Sequence, residues 1–151
     1  MDRVALANYF AGPGVETDPI EAWRVDAAVA RALDVAVGTP VRLSYQNFVK
    51  ITLKHQDVTF EDLSRFAEIA NAPSTCVARD SRRSALLIFP DPVRPFKIVL
   101  RATRLREVYL VTFHRTRAAE ARRLIRRALK GGRMVRGAET KSARSDRPRR
   151  S

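Results

Sequence analysis

Cysteine is almost missing from this chain: Cys76 stands alone among 151 residues. A single thiol excludes an internal disulfide framework and any cysteine-rich metal centre. Histidine is nearly as scarce, with only His55 and His114. Two distant imidazoles and one thiol fall short of the grouped donors that a metal site needs. No apolar run approaches the about 18 residues of a membrane-spanning helix. The opening MDRVALANYF lacks the basic stretch and long apolar core of a secretory leader, so a cytoplasmic location is expected. No glycine-rich phosphate loop follows a strand, since AGPG at 11–14 lacks the lysine and helix entry of such a loop. No serine-hydrolase elbow and no internal repeat is visible. Neither a metal nor another cofactor is expected.

Acidic residues are the other minority. There are 16 of them against 29 lysines and arginines, for a net charge of +13 and a pI near 11.2. A charge of that size attracts polyanions. It is also uneven. Residues 1–40 carry 3 basic and 6 acidic side chains, residues 41–114 carry 12 and 7, and residues 115–151 carry 14 and 3. Lysines number only five, and arginine's planar fork pairs phosphate oxygens two at a time.

The pattern along the chain predicts an α+β domain. Gly12, Pro13 and Gly14 predict a loose arm over 1–17. Asp18-Pro19 reads as the start of a helix over 19–36, with Ile20, Trp23, Ala27 and Ala30 at helical spacing. Val41 to Leu43 is short and extended. Ser44 caps a second helix to about Gln56, and Thr59-Phe60-Glu61-Asp62 opens a third in the manner of a capping box. Four strands follow: STCVARD, SALLIF, PFKIVLRAT and LREVYLVTFHR. Their short links favour antiparallel neighbours. A basic amphipathic helix then covers 116–130. The expected architecture is thus N-terminal helices packed on a four-stranded antiparallel sheet, followed by that C-terminal helix. One domain would span 18–131, and 132–151 would be a disordered basic tail.

Alternation along the strands selects candidate site residues. In the last strand Tyr109, Val111 and Phe113 share one face, and Val108, Leu110, Thr112 and His114 share the other. If the apolar sets lie against the helices, the open face collects Arg79, Lys97, Arg101, Thr103, Thr112 and His114. That set is cationic and contains no carboxylate. A wet sheet face displays such residues for solubility alone. His55, at the end of an apolar helix stripe, equally suits a half-buried structural role. Its neighbour Lys54 would lower its pKa and Asp57 would raise it. Cys76 suits a packed, inert strand position.

Cations with histidine and no metal fit RNA cleavage. The substrate brings its own 2′-hydroxyl nucleophile, histidine serves as acid or base near neutral pH, and arginine and lysine stabilise charge on phosphorus.

Helices of which one ends in a KH pair, then a four-stranded sheet whose last strand reads YLVTF, resemble the barnase–EndoU–colicin–RelE-like (BECR) nuclease superfamily, in its small phage and polymorphic-toxin domains. The likeness covers roughly 41–130. It implies a metal-independent endoribonuclease of toxin type acting on transfer RNA or other cellular RNA, with an acidic antitoxin or immunity protein as partner. It would place His55 as the helix histidine, Arg79 or Arg101 as the strand cation, and Thr112 as the hydroxyl. His114 departs from the pattern, because that place is more often aromatic or apolar. Lys54, Lys97, Arg115, Arg122, Arg123, Arg126 and Arg127 would bind the RNA backbone. The helical arginines, with Arg117, also suit a solvated face while Leu124, Ile125 and Leu129 meet the sheet. A non-catalytic nucleic-acid-binding protein and a phage or prophage accessory protein are the alternatives.

Overall fold

The computed structural model describes residues 1–12 and 18–137. In chain order these form helix α1 (Arg3–Ala11), strand β1 (Ile20–Arg24), helix α2 (Ala27–Leu33), strand β2 (Pro40–Leu43), helices α3 (Tyr45–Lys54), α4 (Phe60–Ser64) and α5 (Phe66–Asn71), strands β3 (Cys76–Ser81), β4 (Ser84–Phe89), β5 (Phe96–Ala102) and β6 (Val108–Arg115), helix α6 (Ala118–Lys130) and strand β7 (Met134–Arg136). The strands make one seven-stranded sheet in the order β1-β2-β6-β5-β4-β3-β7. It is mixed: β2 runs parallel to β6, and every other neighbouring pair is antiparallel.

The expected four-stranded antiparallel sheet is therefore corrected to seven strands with six helices among the described residues. The four central strands and their hairpins fall where alternation and turn residues put them. Of the three further strands, β2 falls on the segment read as short and extended, and β1 and β7 come from segments read otherwise. Residues 20–24 pair with β2 rather than starting a helix. Ile20, Ala22 and Trp23 are all buried there, because a register shift between Glu21 and Trp23 breaks the alternation. Arg3–Ala11, placed in a loose arm, is a helix capped by the Asp2 carboxylate, which accepts the Val4 and Ala5 amides. Met134–Arg136, placed in the basic tail, adds a strand beside β3. Positions 13–17 of that arm and 138–151 of that tail lie outside the described residues.

Two apolar clusters flank the sheet. The larger joins α1 to α5 with one face through Phe66, Ile98, Leu100, Leu110 and Phe113. The smaller joins α6 to the other face through Cys76, Leu86, Ile88, Val99 and Ala121. Phe113 is fully buried, so its truncation to alanine would cost about 3–5 kcal/mol. Leu129 does not meet the sheet as its spacing suggested; it is 59% exposed, and Ala121 and Ala128 are the buried positions of α6.

Candidate active site

Strand β2 is short, and its pairing with β6 joins only Val41 to Val108 and Arg42 to Tyr109. Beyond Tyr109 the chain places α3 beside β6. The Ser44 hydroxyl caps α3 by accepting the Asn47 amide at 3.1 Å, a contact worth about 1 kcal/mol. The Asn47 side-chain amide donates to the Leu110 carbonyl at 3.1 Å. With its first turn fixed there, α3 ends at His55, whose amide closes the last turn on Ile51 at 2.9 Å.

On β6 a bulge sets the second half of the site. Val99 of β5 lies opposite Thr112, but the next residue, Leu100, lies opposite Leu110, so Val111 is the extra residue. The bulge inverts the facing of the strand. Leu110 and Phe113 both enter the large core, while Thr112 and His114 point to the other face with Lys97 and Val99. Uninterrupted alternation, which set Phe113 with Val111 and Leu110 with Thr112, is corrected accordingly.

The rings of His55 and His114 stack at a centroid separation of 3.7 Å and an interplanar angle of 19°. They border a cleft of about 260 Å³ whose polar lining adds Lys50, Lys54, Lys97 and Thr112, over a floor of Ile51 and Val111. Among the described residues no carboxylate lines it. His114 Nδ1 lies 2.7 Å from the Arg115 carbonyl oxygen. A carbonyl only accepts, so Nδ1 carries the proton and donates it, which leaves Nε2 for a ligand. Burial holds His55 below its ordinary 6.5, and the charges of His114, Lys54 and Lys97 add to the lowering against the opposing pull of Asp57. His55 is thus kept as the neutral, proton-accepting imidazole. Two protonated rings at 3.7 Å would repel by about 1 kcal/mol in water and ~4 kcal/mol at an effective dielectric of 20, which is why the His114 charge opposes protonation of His55.

Helix α3 and the sheet together bring His55, His114, Thr112, Lys54 and Lys97 of the residues singled out in the sequence to one cleft. Arg101 shares their face but lies four residues along β5 from Lys97, roughly 13 Å away at the ~3.3 Å rise of a strand; its Nε donates to the Ser84 hydroxyl. Arg79 is not on that face. It lies opposite Ala85, itself opposite Leu100, and its guanidinium donates to the Arg31 carbonyl on α2, on the face of the large core. Thr103 closes the β5–β6 turn by accepting the Glu107 amide on its hydroxyl. Arg115 turns away to Asp91 at 2.8 Å and Asp62 at 3.3 Å, with its guanidinium over the Phe96 ring. On α6, Arg122, Arg123, Arg126 and Arg127 are exposed, and Arg123 is held by Glu120 at 2.7 Å. Lys50 is the lining cation that sequence reasoning missed; its i, i+4 relation to Lys54, which puts both on one side of α3, was the available signal.

Among the described residues no group of three histidine, cysteine, aspartate or glutamate side chains stands together as a metal site, and no helix is long and apolar enough to cross a membrane. Comparison with models of protein families, with curated proteins and with solved structures found no match to this chain.

Proposed function

We propose that this chain is a metal-independent endoribonuclease of the toxin kind, as its likeness to the BECR superfamily implies, with the cleft between α3 and β6 as its active site. The stacked His55–His114 pair inside a lysine-lined cleft is the observation that supports the reading. His55, held neutral, takes the proton of the substrate's 2′-hydroxyl. The 2′ oxygen bonds to phosphorus and the bond from phosphorus to the 5′ oxygen breaks. Protonated His114 gives a proton from Nε2 to that departing oxygen. The products are a 2′,3′-cyclic phosphate and a free 5′-hydroxyl. Lys50, Lys54 and Lys97 balance the negative charge that builds on the phosphoryl oxygens, and the Thr112 hydroxyl donates to one of them. Arg101 and Arg79, which lie outside the cleft, take no part in the chemistry. The exposed arginines of α6 add salt-sensitive contacts to the RNA backbone. On α6 the Glu120 carboxyl sits below its ordinary value, chiefly through the hydrogen bonds it accepts from Arg123. An acidic antitoxin covering the same lysines would silence the activity in a cytoplasm that carries it.

The test is incubation of purified protein with total RNA in EDTA, comparing the wild type with His55→Ala, His114→Ala and Thr112→Ala. RNA cut by the wild type to cyclic-phosphate ends, and left whole by both histidine variants, is the expected result. Intact RNA that the protein retains at low salt and releases at high salt would replace the enzyme by a nucleic-acid-binding protein. Neither cutting nor retention would leave a phage accessory protein.

A further inference from the structure

Three turns meet at the end of the sheet remote from the histidines. Each contains a residue with a side chain in the left-handed region: Asp34 after α2 (φ 59°), Arg83 in the β3–β4 hairpin (φ 65°) and Arg106 in the β5–β6 hairpin (φ 66°). Glycine is the usual occupant of such positions. These three are the only non-glycine residues of positive φ among those described, and all three line one cleft of about 330 Å³. Its polar lining is dominated by five arginines, Arg79, Arg82, Arg83, Arg104 and Arg106, against one carboxylate among the described residues, that of Asp34. Ala32, Leu33 and Ala102 supply a small apolar wall.

Arg106 donates to the Asp34 carbonyl and faces its carboxylate at 3.5 Å. No carboxylate among the described residues pairs with Arg79, Arg82, Arg83 or Arg104. These four guanidiniums are exposed around one hollow without a carboxylate partner among the described residues, so together they attract an anion, and the left-handed turn residues at the same spot hold the arginine-bearing turns around it. Guanidinium forks match phosphate oxygens two at a time. The volume is at the lower end of the about 300–1,000 Å³ of small-molecule sites, which suits a single nucleotide unit better than the convex surface of an acidic protein. We infer that this cleft binds the phosphoryl group of a nucleotide, free or at the 5′ end of a nucleic-acid strand. The inference does not depend on the endoribonuclease reading, because the cleft lies roughly 17 Å along β5 from Lys97, five residues at the ~3.3 Å strand rise.

Calorimetric titration of the full chain at low salt tests it with adenosine 5′-monophosphate, adenosine, and a 2′-deoxy hexanucleotide with and without a 5′-phosphate. The deoxy strand has no 2′-hydroxyl, so binding is read apart from any cleavage. The monophosphate is expected to bind and adenosine to give no heat. A phosphorylated strand at least tenfold tighter than its unphosphorylated twin identifies a strand end as the source; no gain from its phosphate identifies the free nucleotide. Arg83→Gly removes one guanidinium and relaxes its turn, so it is expected to raise the Tm while weakening monophosphate binding at least fivefold. The double variant His55→Ala/His114→Ala is expected to bind the monophosphate as the wild type does. Equal heats from monophosphate and adenosine, unchanged affinity in Arg83→Gly, loss of binding in the double histidine variant, or binding of polyglutamate in place of the monophosphate would each overturn the inference.

Discussion

Asn47 and Leu110, 63 positions apart in the chain, are joined by a 3.1 Å hydrogen bond from the Asn47 side-chain amide to the Leu110 carbonyl. That bond pins α3 to β6 two turns before His55 and immediately before the bulge that turns His114 toward it. Asn47→Ala leaves a part-buried carbonyl without this donor, at a cost of about 1–2 kcal/mol. Urea denaturation is expected to show that loss with an unchanged m-value. The imidazole resonances of both histidines are expected to shift, as they do not for a substitution at exposed Leu53 on the same helix.

Burial and the cations around it keep His55 below 6.5, which fixes the sign of its pH effect. As pH falls through 6.5 the unfolded chain takes up a proton that folded His55 still refuses. Folding stability therefore declines with acidification over the window from 6.5 down to the lower folded value, and His55 adds no pH dependence above it. His114→Gln removes a neighbouring positive charge, so the His55 titration followed by NMR is expected to move upward. An unmoved midpoint would refute the electrostatic coupling of the two rings.

Arg115, Asp91 and Asp62 form a largely buried clasp between β6, the β4–β5 loop and α4, with side-chain exposures of 20%, 9% and 13%. Burial pushes the Asp91 carboxyl up, but the Arg115 hydrogen bond, the Val93 amide and the charges of Arg115 and Arg65 outweigh it and hold the carboxyl below its ordinary 3.8. Its contribution is present above 3.8 and is lost as pH falls through the lower folded value. Asp91→Asn is expected to cost about 2 kcal/mol at neutral pH and to flatten the acid limb of the stability profile below 3.8. Thermal melts across pH check both.

Asp34 occupies the left-handed position that ends α2, and its exposed ion pair with Arg106 at 3.5 Å is worth little. Asp34→Gly relieves a backbone cost of about 1 kcal/mol. It also deletes the carboxylate that lines the arginine cleft. The expected outcome is a higher Tm together with tighter binding of adenosine 5′-monophosphate, measured on the same preparation.

The parts legible in the sequence are those with local causes. Ser44 before α3, the Thr59–Asp62 capping box and the short hairpin links each carry their own hydrogen-bonding instruction. The helical spacing of Ile20, Trp23, Ala27 and Ala30 misled because the register shift near Ala22 buries two consecutive residues of β1, which reads as a helix stripe. Met134–Arg136 is too short to show a period and becomes a strand only because β3 offers an edge. The candidate site was half legible. His55 and Thr112 stood out by residue type, but the Val111 bulge and the approach of α3 to β6 depend on contacts between distant segments. Strict alternation also set Arg79 with Lys97, and the register through Ala85 and Leu100 shows that they face opposite ways.

The parallel pairing of Val41 with Val108 has a consequence for biosynthesis. The early segments leave the ribosome first, yet β2 has no inner neighbour until β6 is made, roughly 65 residues later. At ~5–20 residues per second that is a wait of about 3–13 s. Through it Val41 and Leu43, both buried at the end, lack the cover of β6, so a nascent chain stalled before position 108 would be bound by holdases and cut by proteases that ignore the finished protein.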